Sequence, residues 1–381
     1  MKKAFLNAKI YFEGEGLLVS DLVFDDKILA DKVDGTEEVI SLPDDAVVLP
    51  GFIDQHIHGA GGADAMDGTL DALKTIATTV AGEGTTAFLA TTMTQSVENI
   101  TTALTAVKDY KAKNYADGAE ILGVHLEGPF IAASMKGAQP LEYVASPDIE
   151  VFDNYNKASG NNIKIVTLAP EVDGADKLIE HLASNGIVAS IGHTAAKCAS
   201  VRSAIRAGAK NITHTYNAQS PLHHREIGVV GSAMLYDELA TELIADTIHV
   251  SVPAMQLLAK NKPNGKLVLI TDAMRAKGLA DGESELGGQV VIVKNGEARL
   301  VDGTLAGSVL RMNRAVQNFV EKVGISFLKA VDCATINPAK SLGVDDIMGS
   351  IKVGKLANFT VLNSNYDVLY TIRNGEVIYK A

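Results

Sequence analysis

The chain has 381 residues, too many for one small domain and suited to a barrel-sized domain with an accessory one. Hydrophobic residues make up 47% and charged residues 21%, which permits a large buried core and excludes global disorder. Lys plus Arg number 34 against 46 Asp plus Glu, a formal charge of -12 with no basic tract, so neither nucleic acid nor an anionic membrane is an expected partner.

The opening stretch MKKAFLNAKIYFEGEG carries two lysines, but Asn7, Lys9 and Glu13 interrupt its apolar residues. It does not read as a signal peptide. No run approaches the roughly 20 apolar residues of a membrane helix. Only two cysteines occur, Cys198 and Cys333, which excludes a disulfide framework and points to a reducing, cytoplasmic setting.

Residues 1–48 hold short alternating runs such as AKIYFEG and LLVSDLVFDD, and residues 350–381 hold ANFTVL and DVLYTIRNGEVIYK. Asn374-Gly375 between two β-rich runs is a hairpin signal. Neither end has enough strands for a stable sheet alone. The expectation is that 1–50 and 350–381 pair into one small β-sandwich domain, with 51–349 inserted between its halves.

The middle alternates short apolar runs with stretches of helical period. The runs are GFIDQHIH (51–58), TTAFLATT (85–92), ILGVHLEG (121–128), IKIVTLAPE (163–171), GIVASIGH (186–193), NITHTY (211–216), TELIADTIH (241–249) and KLVLITDA (266–273). In the stretch after the second run, Val97, Ile100, Leu104 and Val107 share one helical face. Eight apolar strands, each followed by a helix, predict a (β/α)8 TIM-type barrel of α/β class. QVVIVKNGEARLVDG (289–303) reads as a hairpin inserted after the eighth strand, and LRMNRAVQNFVEKVG (310–324) as the last barrel helix.

The polar residues fall where such a barrel would use them. His56 and His58 end the first run, His125 and Glu127 the third, His193 the fifth and His214 the sixth. Asp246 and His249 end the seventh, and Asp272 the eighth. Barrel chemistry sits at the carboxyl ends of the strands, so closure would gather these distant side chains at one mouth. Imidazole and carboxylate are the usual ligands of a catalytic divalent ion. Zinc fits them, and iron, manganese and cobalt are compatible. Alternation along the strand puts His56 and His58 on one face, and Glu127, His193 and His214 can complete one or two sites. Any one of these histidines alone would read as a structural residue; five candidate ligands at strand ends favour a metal. Asp272, following LVLIT, is placed to take a proton from water and return it to a leaving amine, or to serve as a plain ligand. His125 is given a supporting or packing role. His181, in a helix, is expected to be exposed, and His223 and His224 to be ordinary loop residues.

PGFIDQHIHG (50–59) resembles the opening of the amidohydrolase superfamily. HLEGPF (125–130), KGAQP (136–140), IGHT (191–194), ITHTYNA (212–218), IADTIHV (244–250), TDAM (271–274), LGG (286–288) and TLAGS (304–308) together resemble the N-acetylglucosamine-6-phosphate deacetylase family within it. ATINPAKSLG (334–343) and GSIKVGKLANF (349–359) are similar to the superfamily's usual close. The likeness covers nearly the whole chain, in order, and HLEGP with LAGS is its most specific part. It implies metal-dependent hydrolysis of the sugar acetamide to glucosamine 6-phosphate and acetate, in a homodimer. Carried over by position, Glu127, His193 and His214 match the principal metal ligands, and His56 and His58 match a second metal position that some members keep. Asp272 matches the catalytic acid/base. Substrate contacts would be Ala138, Gln139, Asn217, Ala218, Arg225, His249, Leu305, Ala306 and Gly307. Two departures stand out. Gln139 replaces a histidine common in the family, and Ala357-Asn358 replaces the usual Ala-Asp.

A phosphorylated sugar is an anion, and this chain is acidic overall, so binding must rest on local cations. Arg225 can offer paired hydrogen bonds to phosphate, although a surface ion pair with Glu226 or another acid would occupy it instead. Amidohydrolases that act on ring amides or N-acyl amino acids often bridge two metals with a carboxylated lysine, and no lysine closes any of the eight runs here. A barrel that only senses the sugar would be expected to have lost Asp272 or some ligands, and all are present.

Overall fold

The computed structural model describes residues 1–30 and 33–381. Eight parallel strands form the central sheet in chain order: Phe52–Ile57, Thr85–Thr91, Glu120–Glu127, Ile163–Leu168, Val188–Ile191, Asn211–Ile212, Ala240–Ile244 and Leu267–Ile270. Each overlaps one of the eight apolar runs. All are buried on both faces, save at Glu120, Leu122, Lys164 and Val188, which is why they read as continuous apolar stretches. The first and last strands carry no regular ladder, but they are joined at the mouth. Asp272 N–H donates to His56 O at 2.9 Å and His58 N–H to Ala273 O at 2.9 Å, so the barrel is nearly closed. Those two bonds lock the ends of the first and eighth strands together at the positions of His56, His58 and Asp272.

Helices follow the strands and cover the barrel, as at Leu70–Ala81, Val97–Lys113, Ala175–Ser184 and Met312–Glu321. The second of these buries Ile100, Leu104 and Val107 as the period predicts, together with Ala103, Ala106 and Tyr110. Val97 does not join them and is 63% exposed. It opens the first turn beside its Ser96 cap, whose Oγ accepts from Asn99 N, before the helix reaches the barrel wall.

The two chain ends form one sheet of seven strands. Val47–Pro50 is the join: it runs parallel to Lys3–Phe12 and antiparallel to Phe359–Leu362. The expected β domain built from both termini is one continuous hydrogen-bonded sheet. It makes its own core from Phe5, Phe24 and Phe359, whose rings lie 5.0–5.9 Å apart. The Asn374-Gly375 turn is present, with φ of 50° and 74°, the left-handed pair that this hairpin needs. The sheet is pinned to the base of the barrel. Thr371 Oγ1 donates to Ala81 O at 2.6 Å, and Arg373 donates to Gly118 O and Tyr115 O at 2.8 and 2.6 Å. Between sheet and barrel only Gly51 intervenes, and a Cβ there would come within 2.2 Å of Thr86 Oγ1.

After the eighth strand the chain forms three antiparallel strands, Gly282–Leu286, Gln289–Lys294 and Glu297–Leu300. The expected hairpin accounts for the last two. The first, GESEL, is too polar to show strand alternation and is defined only by its pairing. No helix among the described residues is long and apolar enough to cross a membrane. Both cysteines are free.

Candidate active site

At the carboxyl ends of the strands lies a cavity of about 340 Å³, within the usual range for small-molecule sites. Its floor is built around Glu127, the last residue of the third strand. Glu127 Oε1 lies 3.0 Å from His214 Nε2, 3.2 Å from His193 Nε2 and 3.4 Å from His56 Nε2. Its Oε2 lies 3.3 Å from His58 Nε2. Asp272 Oδ1 faces the same space, 3.2 Å from His58 Nε2 and 3.5 Å from His56 Nε2. All six side chains are buried. Three of the six, His193, His214 and Asp272, have positive φ (47°, 28° and 47°), where non-glycine residues are strained. The strand ends turn abruptly there and aim the side chains into the cluster.

The ring nitrogens are set for a cation. His193 Nδ1–H donates to Met135 O at 2.9 Å, which turns its Nε2 lone pair toward His214 Nε2, 3.1 Å away. His56 Nδ1–H donates to Glu242 Oε2 at 3.0 Å and leaves its own buried Nε2 without a hydrogen-bond partner. Imidazoles that give one nitrogen to an outer acceptor and present the other inward are the pattern of metal ligands. Glu127, His193 and His214 form one group whose ligand atoms lie within 4.8 Å of one another, and His56, His58 and Asp272 form a second. The donor set fits one or two divalent ions.

The charges are mutually dependent. Burial works to raise the Glu127 carboxyl, but His56 and His193 overcome it and hold the group well below the usual carboxylate range. Burial likewise opposes the Asp272 charge, and His56 and His58 bring that carboxyl down to about 2. Burial works to lower His56, and Glu127 and Asp272 push it up instead, to about 9. His125 is different. Burial, then the neighbouring His56, brings it down to about 4. Both its nitrogens are used, toward Gln55 O at 3.1 Å and Thr167 Oγ1 at 2.7 Å, and its ring packs 4.4 Å from that of His56. It supports the cluster from beneath.

Of the expected substrate contacts, Ala138, Gln139, Asn217, Ala218, His249, Leu305 and Gly307 line the cavity. Two lie elsewhere. Ala306 is fully buried behind the lining, its N–H donating to Ala298 O at 3.0 Å. Arg225 is exposed on the loop after the sixth strand and contacts His224 Nε2 through Nη1 at 2.8 Å. It is not paired with Glu226, which instead accepts from Cys198 N and Gly228 N. His223 and His224 are exposed beside it. His181 is half-buried rather than exposed, and its Nε2 meets Asp153 Oδ1 at 2.7 Å.

Gln139 is held at both ends. Its Oε1 accepts from Thr94 N at 2.8 Å, and its Nε2 donates to Glu127 Oε2 at 2.7 Å. Since the backbone N–H can only donate and the carboxylate only accept, the amide has one orientation. Three residues of the site are not apparent from strand-end positions: Glu242, Met135 and Asp64. Glu242 sits inside the run TELIAD, and a lone acid within a buried strand is the one signal it leaves in the sequence. Met135 acts through its carbonyl, which no side-chain pattern reveals. Asp64, buried at the end of the short strand Ala63–Asp64 that follows the first barrel strand, is pushed up to about 6 by burial, against the pull of His58.

Comparison with known proteins agrees with this architecture. The model of the amidohydrolase family matches residues 47–378, and the chain belongs to that family. It is 47% identical over 342 residues to an N-acetylglucosamine-6-phosphate deacetylase of Bacillus subtilis, covering 89% of this chain and 86% of that protein. It is 39% identical over 328 residues to an N-acetylgalactosamine-6-phosphate deacetylase of Escherichia coli O157:H7, covering 85% and 86%. The crystal structure of N-acetylglucosamine-6-phosphate deacetylase from Pasteurella multocida superposes with a TM-score of 0.93 at 33% identity, over all of both chains.

Gln139→Leu strands the Thr94 N–H and removes a hydrogen bond from Glu127. We expect a loss of about 1–3 kcal/mol in urea unfolding, with the barrel otherwise intact by circular dichroism.

Proposed function

We propose that this chain hydrolyses the acetamide of N-acetylglucosamine 6-phosphate to glucosamine 6-phosphate and acetate, as a step in amino-sugar breakdown. The observation that carries the reading is the meeting of four imidazoles and Asp272 around the Glu127 carboxylate, at the foot of a cavity of sugar size. The deacetylase names of similar proteins point to the same substrate class.

Glu127, His193 and His214 would hold one divalent ion, and His56 and His58 a second, with zinc the first choice and iron, manganese or cobalt compatible. When bound, the ion supplies a water acidified toward neutrality and a Lewis acid for the acetyl oxygen. Asp272 then takes the proton of the attacking water. Its carboxylate lines the cavity with Oδ1 3.2 Å from His58 Nε2, within reach of a water held at the cluster. The same carboxyl returns the proton to the amine nitrogen as the C–N bond breaks, giving the amine and acetic acid, which then loses its proton to leave as acetate. Gln139 steadies Glu127 and borders the cavity, and its second amide hydrogen is available to the acetyl group. His249 is oriented by Asp246, whose Oδ2 accepts from Nδ1 at 2.6 Å, and it offers its other nitrogen to a sugar hydroxyl or the phosphate.

Arg225 lies outside the lining of its own cavity and carries no carboxylate partner among the described residues. In the homodimer that the resemblance implies, it would serve the phosphate across the interface. The free state of both thiols suits a cytoplasmic enzyme.

An acetate-release assay tests the reading. Acetate should form from N-acetylglucosamine 6-phosphate, cease after chelation, and return with added metal. No release from this sugar or from its galactosamine counterpart would contradict it. Asp272→Asn should keep the ion at Glu127, His193 and His214 yet lower kcat by about 10²–10⁴; near-normal turnover would remove the proton-transfer role. Arg225→Ala should raise KM for the phosphorylated sugar and leave the unphosphorylated one almost unchanged, and equal losses on both would argue against phosphate recognition.

A further inference from the structure

Beneath the cluster runs a chain of buried polar side chains that joins strand to strand. His125 meets Thr167, Thr167 meets Thr213, Thr213 meets Ser190, and Ser190 meets Asn211. The chain ends on Glu242, in the middle of the seventh barrel strand and fully buried. Four donors converge on this carboxylate. Oε1 accepts from Gln55 Nε2 at 2.7 Å and Asn211 Nδ2 at 3.1 Å. Oε2 accepts from His56 Nδ1 at 3.0 Å and from the backbone N–H of His214 at 3.2 Å. That Gln55 and His56 both reach it, though adjacent, follows from the break in strand register between Asp54 and Ile57.

No Lys or Arg among the described residues pairs with Glu242. Its burial is compensated by hydrogen bonds and by the charge of the neighbouring His56 rather than by a lysine or arginine, which is costly unless the arrangement serves a purpose. Two of the four donors belong to the cluster above. A carboxylate can only accept, so a hydrogen of His56 must sit on Nδ1. Its Nε2, with no hydrogen-bond partner, is left facing Glu127 Oε1 and Asp272 Oδ1 at 3.4 and 3.5 Å. The same oxygen tethers the strained backbone at His214. Glu242 is not itself placed to ligate an ion with His56 and His125, although their atoms are close enough. Both His125 nitrogens are already engaged.

We propose that Glu242 is a positioning residue: it fixes His56 in the Nδ1–H form, aims Nε2 at the cluster, and so sets how tightly the ion at His56 and His58 is held. The proposal rests on the reading of His56 as a ligand. Glu242→Gln is the conservative variant. Gln55 Oε1 and Asn211 Oδ1 are buried without partners, so both amides can turn over to accept from a glutamine while its carbonyl keeps His56 and His214. Glu242→Leu removes all four bonds.

The test is a zinc titration of metal-stripped protein against a competing chelator, with circular dichroism and Tm recorded for each variant. Wild type should bind two ions. Glu242→Leu should weaken one of them by about 10–100-fold, and Glu242→Gln should restore most of the loss. A folded Glu242→Leu that keeps both affinities overturns the proposal, whatever its Tm, because a merely structural role would move Tm alone. A single ion in wild type overturns the ligand reading of His56 and takes the proposal with it; that failure shows in the unmodified protein and is distinct from the first. If Glu242→Leu does not fold, zinc-loaded wild type labelled with 15N-histidine decides. A hydrogen on His56 Nδ1 with zinc on Nε2 supports the proposal, and ligation through Nδ1 overturns it.

Discussion

The structure turns on one shared carboxylate. Glu127 is buried, carries no lysine or arginine partner among the described residues, and is approached instead by Nε2 of four histidines from three other strands. A lone charge in that position would be prohibitively costly. It is tolerable only where positive charge is concentrated opposite it, on imidazolium or on a bound cation. Each of those imidazoles is useless to Glu127 unless the barrel closes, because they come from the ends of strands one, five and six. Closure and the charge cluster are therefore the same requirement seen at two scales.

The rest of the molecule serves that requirement. The terminal sheet grips the barrel just before the second strand through Thr371 and just before the third through Arg373, and feeds directly into the strand that carries His56 and His58 at its end. The three-stranded insert and the segment that follows it contribute Leu286, Thr304, Leu305 and Gly307 to the cavity wall. Asn358 has a structural role. Its Oδ1 accepts from Asn374 N and its carbonyl from Gly51 N, tying the last hairpin to the entry of the first barrel strand.

Much of this was legible in the sequence, for physical reasons. A strand buried on both faces must be apolar, so the eight runs declared themselves, and a polar residue ending such a run must have a use. Asn374-Gly375 was legible because few other pairs accept two positive φ angles. What escaped was of two kinds. The polar strand Gly282–Leu286 pairs at an exposed edge and needs no apolar pattern. The outer supports, Glu242 inside a strand and the carbonyl of Met135, act by hydrogen bonds whose partners are distant in the chain, and no local periodicity announces them. Arg225 was recognisable by type and loop, but nothing in the sequence shows that its own cavity lies out of its contact.

The most direct test of the central claim is to locate the cation. Crystals of the metal-loaded protein, measured on either side of the metal's absorption edge, should show an anomalous peak within about 2.0–2.3 Å of a Glu127 oxygen and the Nε2 atoms of His193 and His214. A protein that releases acetate from its sugar phosphate yet shows no peak there, or shows its only peak elsewhere, would contradict the account.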